Sequence, residues 1–240
     1  RMTIDGRAAA FTYGRIGQLL DVDYDGGQPD ESYRYDRNGN RAASTGPGGT
    51  VTYTVGAGNR LRSDGIPDYT YGESGELIAR VEIATGRASA YAYGHRGRLT
   101  SVVERDGAGA VVGEVEYTYD VFDRRIAVTA NGERTFTVYD GDSAWADYDD
   151  AGAVGARYLH GDGIDELLAR WRPGEGTAWP LADRLGTIRV VLDARGMPLN
   201  VTEYTAFGVI LSQTNPAAAG RFTFTGREFD AATGLYDFRA

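Results

Sequence analysis

A tyrosine pair followed by a short glycine-bearing turn returns along the chain about every twenty residues, and a repeat of that length admits few folds. Tyr33-Arg34-Tyr35-Asp36-Arg37-Asn38-Gly39-Asn40-Arg41 recurs as Tyr69-Thr70-Tyr71-Gly72-Glu73-Ser74-Gly75-Glu76-Leu77 and as Tyr91-Ala92-Tyr93-Gly94-His95-Arg96-Gly97-Arg98-Leu99. A further copy is Tyr117-Thr118-Tyr119-Asp120-Val121-Phe122-Asp123-Arg124-Arg125, and a weaker one starts at Phe11-Thr12-Tyr13. The markers Tyr13, Tyr35, Tyr53, Tyr71, Tyr93, Tyr119, Tyr139 and Tyr158 stand 22, 18, 18, 22, 26, 20 and 19 residues apart.

Each copy reads as a β-hairpin. Tyr-x-Tyr puts two aromatics on one face of a strand, where such side chains cover a half-buried pleated surface. Asp or Gly, two residues and a Gly then suit a type I turn whose last residue has positive φ, so the strand reverses through a short loop with a bulge. Further reversals at Thr85-Gly86, Asp106-Gly107, Asn131-Gly132, Asp149 to Gly152 and Asp193 to Gly196 complete a β-meander. Helix is nearly absent from this reading; Asp165 to Trp171 has helix-forming composition, but its length and surroundings favour a strand. A twenty-residue hairpin cannot bury both faces alone, so neighbours must stack on it.

Composition narrows the function classes. No Cys is present, which removes disulfides, thiolate nucleophiles and Cys-based zinc sites. A net charge of −9 argues against nucleic acid and against attachment to anionic lipid. No apolar run approaches the ~18 residues that span a membrane, and no signal peptide opens the sequence. The chain stops in what reads as a strand and is expected to be a piece of something longer.

The repeats resemble the tyrosine-aspartate (YD) repeats of the rearrangement-hotspot (Rhs) family. The second half is similar to that family's core, with motifs at Tyr158 to Glu166 (His160, Gly161), Asp183 to Arg189 (Leu185, Gly186), Phe207-Gly208, Phe222 to Glu228 (Gly226, Arg227) and Thr233 to Ala240 (Gly234, Leu235, Tyr236). The resemblance implies an all-β fold of successive antiparallel hairpins, a sheet strip spiralling into part of a hollow shell. It further implies a repeat array over 1–157 and a core segment over 158–240, continuous with the same sheet. The implied function is structural, encapsulation of a C-terminal toxin or effector, in a secreted or cell-surface bacterial protein. Its partners would be the remaining shell repeats, the payload and secretion-apparatus proteins. The family's aspartate-dependent self-cleavage element lies beyond Ala240, so no enzymatic role is carried over; Arg239 would adjoin it.

Individual residues offer little chemistry. His95 occupies a turn and His160 a core motif, where a structural bond explains it better than a general base. The acidic run Asp140, Asp142, Asp147, Asp149, Asp150 does not have calcium-loop spacing. Asp183 reads as a turn former, and Asp165 and Glu166 fall on opposite faces if they lie in a strand. Gly46-Pro47-Gly48-Gly49 reads as a linker between hairpins. No catalytic, cofactor or metal residue is assigned; the repeat-defining residues are Tyr33, Tyr35, Asp36, Gly39, Tyr69, Tyr71, Gly75, Tyr91, Tyr93, Gly97, Tyr117, Tyr119 and Asp120. The tyrosine rows have two readings, cross-strand cement and a glycan-binding surface, of which the structural one fits their phase with the repeat. The rival function is accordingly a carbohydrate-binding adhesin, and a third is a self-processing protease completed by a continuation.

Overall fold

Strands follow one another with almost nothing between them but turns. The computed structural model describes residues 2–4 and 7–238, so Arg239 and Ala240 of the last core motif lie outside the described residues. Six strands make a first sheet in chain order: β1 (Met2–Ile4), β2 (Arg7–Tyr13), β3 (Leu19–Tyr24), β4 (Glu31–Tyr35), β5 (Arg41–Gly46) and β6 (Gly49–Thr52). A sixteen-stranded sheet follows, also in chain order. It begins with β7 (Thr54–Val55), β8 (Leu61–Ser63), β9 (Pro67–Tyr71), β10 (Leu77–Glu82), β11 (Ala88–Tyr93) and β12 (Leu99–Arg105). It continues with β13 (Val111–Tyr119), β14 (Arg125–Ala130), β15 (Glu133–Asp140), β16 (Ser143–Asp149) and β17 (Val154–His160). Its last strands are β18 (Leu167–Arg172), β19 (Gly176–Ala182), β20 (Ile188–Leu192), β21 (Pro198–Tyr204) and β22 (Ile210–Gln213). The only α-helix among the described residues is α1 (Pro216–Ala219), and β23 (Glu228–Asp230) pairs with β24 (Leu235–Asp237) in a sheet of their own. The all-β meander of antiparallel hairpins is therefore the fold.

One turn builds nearly all of it. The Asp36 N–H donates to the Asn40 carbonyl at 2.9 Å and the Gly39 N–H to the Asp36 carbonyl at 3.2 Å, with Gly39 at φ +86°. The same two bonds close the turns that start at Gly14, Gly72, Gly94, Asp106, Asp120, Asp149, Asp183, Asp193 and Thr205. The register slips beside such turns, as at Arg34/Tyr35 and Thr118/Tyr119, a bulge whose positive-φ position is taken by Gly39 in the first and by Asp123 in the second and which matches strand twist to a type I turn. Asp is favoured first because its carboxylate caps the loop. Asp36 Oδ1 accepts from the N–H groups of Asn38 and Asn40 at 2.8 and 2.9 Å. Asp106, Asp120, Asp149, Asp183 and Asp193 repeat this. Six acidic side chains thus lie at hairpin ends, and their charge belongs to the turns.

In four hairpins the tyrosine just before the turn staples its hairpin to the one before it. Tyr35 donates its hydroxyl to the Leu19 carbonyl at 2.9 Å, Tyr119 to Leu99 at 2.8 Å, Tyr139 to Arg125 at 2.9 Å and Tyr204 to Ile188 at 3.2 Å. Each acceptor is the residue five places after the start of the preceding turn, so the repeat length fixes the bond. An arginine entering the return strand lies over the same rings: Arg98 is 4.8 Å from Tyr119, Arg124 5.2 Å from Tyr139 and Arg189 5.1 Å from Tyr204. The first tyrosine turns inward, and Tyr33, Tyr91, Tyr117 and Tyr158 are buried.

Contacts divide the chain into two compact units. The first runs to Ala90 and takes in Glu104–Val111; the second comprises Tyr91–Val103 and everything from Val112 on. Residues 157 and 158, where the sequence reading parts array from core, both belong to β17. From 158 the chain stays in the large sheet through β22, whereas β23 and β24 leave it. Two smaller readings change. Gly46 pairs with Gly49 across β5 and β6, so Pro47-Gly48 is a hairpin turn and not a linker. The strand after His160 begins only at Leu167, and Asp165 (φ +57°) and Glu166 lie in the turn before it, so they do not occupy opposite faces of a strand.

Candidate functional site

In the second unit the segment from α1 to β24 folds back over the large sheet, and charged side chains fasten it there. Arg125 at the start of β14 donates to Glu228 of β23 at 2.6 Å and stands 3.6 Å from Asp237 of β24. Arg221 meets the Asp147 carboxylate of β16 at 3.0 Å and Glu228 at 3.7 Å. Asp147 is buried and accepts from Thr137 at 2.9 Å and from the Tyr158 hydroxyl at 2.7 Å. Tyr117 donates to Asp230 at 2.6 Å, across 113 residues of chain. Burial disfavours the Arg221 cation, but the fields of Glu228, Tyr158 and Asp147 outweigh it and raise its pKa. Burial raises the Tyr158 and Tyr117 pKa values, and the acceptor carboxylates Asp147 and Asp230 push in the same direction.

The core motifs named from sequence meet at this interlock. His160 lies edge-on to Phe222 at 5.6 Å, and Phe222 packs edge-on to Tyr158 at 5.1 Å. Gly161 passes against Glu166, whose carboxylate accepts the Gly163 N–H at 3.0 Å. Arg227 pairs with Asp165 at 3.2 Å. Beside it Gly226 (φ +71°) runs so close that a Cβ would stand 2.7 Å from the Asp165 carbonyl, so only glycine fits. Asp183 holds Arg189 at 3.1 Å, and Gly186 closes the Asp183 turn beside Thr225. Thr187 is fully buried, accepting the Thr225 N–H at 3.1 Å, while the Ile188 N–H donates to the Thr223 carbonyl at 3.0 Å. Gly234 closes the β23–β24 turn, Leu235 lies at the wall of a cavity of about 490 Å³ under that hairpin, and Tyr236 donates to the Gly208 carbonyl at 3.0 Å. Leu185 points outward from its turn.

Arg125 closes the repeat copy that starts at Tyr117 and Glu228 closes the Phe222 motif, but sequence reading gave neither a partner, and it missed Arg170 and Arg221. Asp147 was visible only as one member of an acidic run; its neighbour Asp149 caps a turn, and Asp147 itself serves Arg221. His95 and the repeat residues Gly75 and Gly97 sit in exposed or half-buried turns, and Tyr69 donates to Asp64 at 2.7 Å. Tyr71 lies under Arg60, 5.9 Å from its ring. Tyr93 ends β11 two residues after the buried Tyr91. The arrangement can hold two layers together; its carboxylates are engaged by guanidinium, phenol and Thr137 hydroxyl groups.

The family model for the Teneurin YD-shell matches residues 5–240. The chain belongs to the YD-shell family. Two curated relatives, "tRNA3(Ser)-specific nuclease WapA" of Bacillus spizizenii and "tRNA nuclease WapA" of Bacillus subtilis, are each 27% identical over 232 residues, 93% of this chain. The YD-shell chain spans 9% of their length. Among solved structures, "Crystal Structure of TcdB2-TccC3-Cdc42" is 15% identical with a TM-score of 0.42, over 96% of this chain and 16% of that one. A Photorhabdus luminescens Tc holotoxin pore is 15% identical with a TM-score of 0.40, over 95% of this chain and 17% of that one. No helix among the described residues of this chain is long and apolar enough to cross a membrane.

Proposed function

We propose that the chain is a wall section of a secreted shell that encloses a C-terminal toxin or effector, with further YD repeats as its immediate partners. The observation that carries this reading is the asymmetry of the two edges of the sheet in the second unit. Of the six turns on the edge that runs from β11–β12 to β21–β22, four put large apolar side chains in solvent, Val121, Phe122, Ile164, Leu185 and Phe207, while β11–β12 and β15–β16 present His95-Arg96 and Gly141-Asp142. Ile164 is 89% exposed and Val121 77%. The opposite edge carries Asn131-Gly132, Asp150-Ala151, Gly174-Glu175 and Ala194-Arg195, with Met197 as its exposed large apolar side chain. A row of apolar tips along one edge suits burial against another run of the same kind of sheet. The wall itself has no catalytic task, and the nuclease names of the relatives fit a protein whose activity resides in another part.

The test uses the polypeptide as its gene encodes it. A hollow particle by electron microscopy, with a terminal portion resistant to added protease, supports the reading. Replacing Phe122 and Leu185 by Ser is then expected to admit the protease. An open ribbon digested along its whole length overturns it.

One observation favours a glycan-binding surface as the second reading. Trp145 and Trp171 are exposed, and Arg157 lies between them, 5.9 and 5.8 Å from their rings. Glycan-array binding lost on Trp171→Ala would establish it; the tyrosine rows, with Tyr91 buried, are poorly placed for sugar.

A further inference from the structure

Two arginines of the second unit each keep a buried Nε–H with no acceptor among the described residues, and both line the same small cavity. Arg170 of β18 is 4% exposed. One of its terminal nitrogens donates to the Ala218 carbonyl of α1 at 2.9 Å, and no carboxylate pairs with it among the described residues. Burial accordingly depresses its pKa, and neighbouring Arg172 adds to the effect. Arg221 spends one terminal nitrogen on Asp147 and Thr137, and the other stands 3.7 Å from Glu228 with no hydrogen bond among the described residues. Gly220 passes so close to Arg170 that a Cβ would collide with the guanidinium, which holds the cation in place from the other side.

The cavity measures about 10 Å³, and Leu167, Ala178, Pro180, Val191, Phe222 and the Ala219-Gly220 segment line it beside the two arginines and Tyr158. A buried water needs acceptors as well as donors, and the two guanidinium groups on this wall supply donors alone. The Tyr158 hydroxyl on the same wall already donates to Asp147. A small anion needs donors alone, forms charge-assisted bonds with both guanidinium groups and offsets the uncompensated cation.

We propose that the second unit binds one monovalent anion of chloride's size between Arg170 and Arg221, behind α1. The anion ties the start of the covering segment to β18, alongside the bond from Arg172 to the Ala217 carbonyl at 2.8 Å. Thermal unfolding of the chain in sodium chloride, with ionic strength held constant by sodium gluconate, tests this. Chloride and bromide are expected to raise Tm saturably, by roughly 4 °C at about ten times the dissociation constant, and gluconate is not. Arg170→Met is expected to remove the chloride dependence. Should that variant not fold, bromide anomalous scattering from crystals of the unaltered chain decides, with a peak expected between the two arginines. Equal Tm in chloride and gluconate, a chloride effect that survives Arg170→Met, or no anomalous peak would each overturn the proposal.

Discussion

The first tyrosine of the repeat meets opposite circumstances in the two compact units. In the first, Tyr33 donates to Glu31 two residues away and Tyr69 to Asp64 five residues away. In the second, Tyr117 donates to Asp230 of the covering segment, and Tyr158 to an Asp147 that also holds Arg221. A buried phenol must find an acceptor, and the repeat supplies the phenol without specifying its partner. Where the carboxylate is local the sheet is self-sufficient; where it comes from afar, the same tyrosine becomes an anchor.

The largest effect expected from this difference is at Arg221. Arg221→Met leaves Asp147 and Glu228 without their shared cation, and breaking a buried pair costs about 3–5 kcal/mol. Amide hydrogen exchange should quicken across 112–238 and stay unchanged across 19–82. Uniform quickening in both regions would show that the interlock is not what separates them.

Alkali should act next. Burial raises the pKa of Tyr139 and Tyr204 to about 12, and burial together with a carboxylate partner raises Tyr33, Tyr69, Tyr117 and Tyr158. A folded-state value above the unfolded value near 10 means stability is full below about pH 10 and falls as pH rises through the folded values. Phenolate absorbance of these groups should therefore appear with unfolding and not before it. Phenolate of these six groups appearing in the folded protein near pH 10 would contradict their placement.

Much of this was legible in the sequence, and the reason is local. The turn at Asp36 needs only residues 36–40, and the Tyr35 staple reaches one repeat back, so pattern and spacing suffice. The interlock was not legible, because Arg125 and Glu228 are 103 residues apart and nothing near either one names the other. Core motifs such as Phe222 to Glu228 marked the right segment without saying that it leaves the sheet.

The staple itself gives a smaller test. Tyr139→Phe and Tyr35→Phe each remove one hydroxyl bond to a carbonyl and should each cost about 1 kcal/mol in denaturant unfolding. Equal losses would mean that the staple belongs to the repeat. A loss only at Tyr139 would assign it to the covered sheet.

The smallest effect is at the turns, in acid. Asp36 has its pKa lowered first by the Asn40 side chain and then by backbone N–H donors. At Asp120, burial opposes, but the Arg124 backbone and guanidinium lower the value; at Asp193 the Met197 and Arg195 N–H groups do so. A depressed folded value contributes stability above the unfolded pKa near 3.9, and that contribution is lost as pH falls through the folded value. The Tm of the chain should hold from pH 7 to about pH 5 and decline below about pH 4. Asp36→Asn keeps an acceptor for both backbone donors and should change Tm little at pH 7. Asp120→Asn loses the Arg124 ion pair at 2.6 Å as well and should lower Tm at pH 7 while reducing the acid-dependent decline. If the two variants behave alike across pH 3 to 7, the backbone donors alone hold these turns, and the arginines that follow them act only on the tyrosine rings.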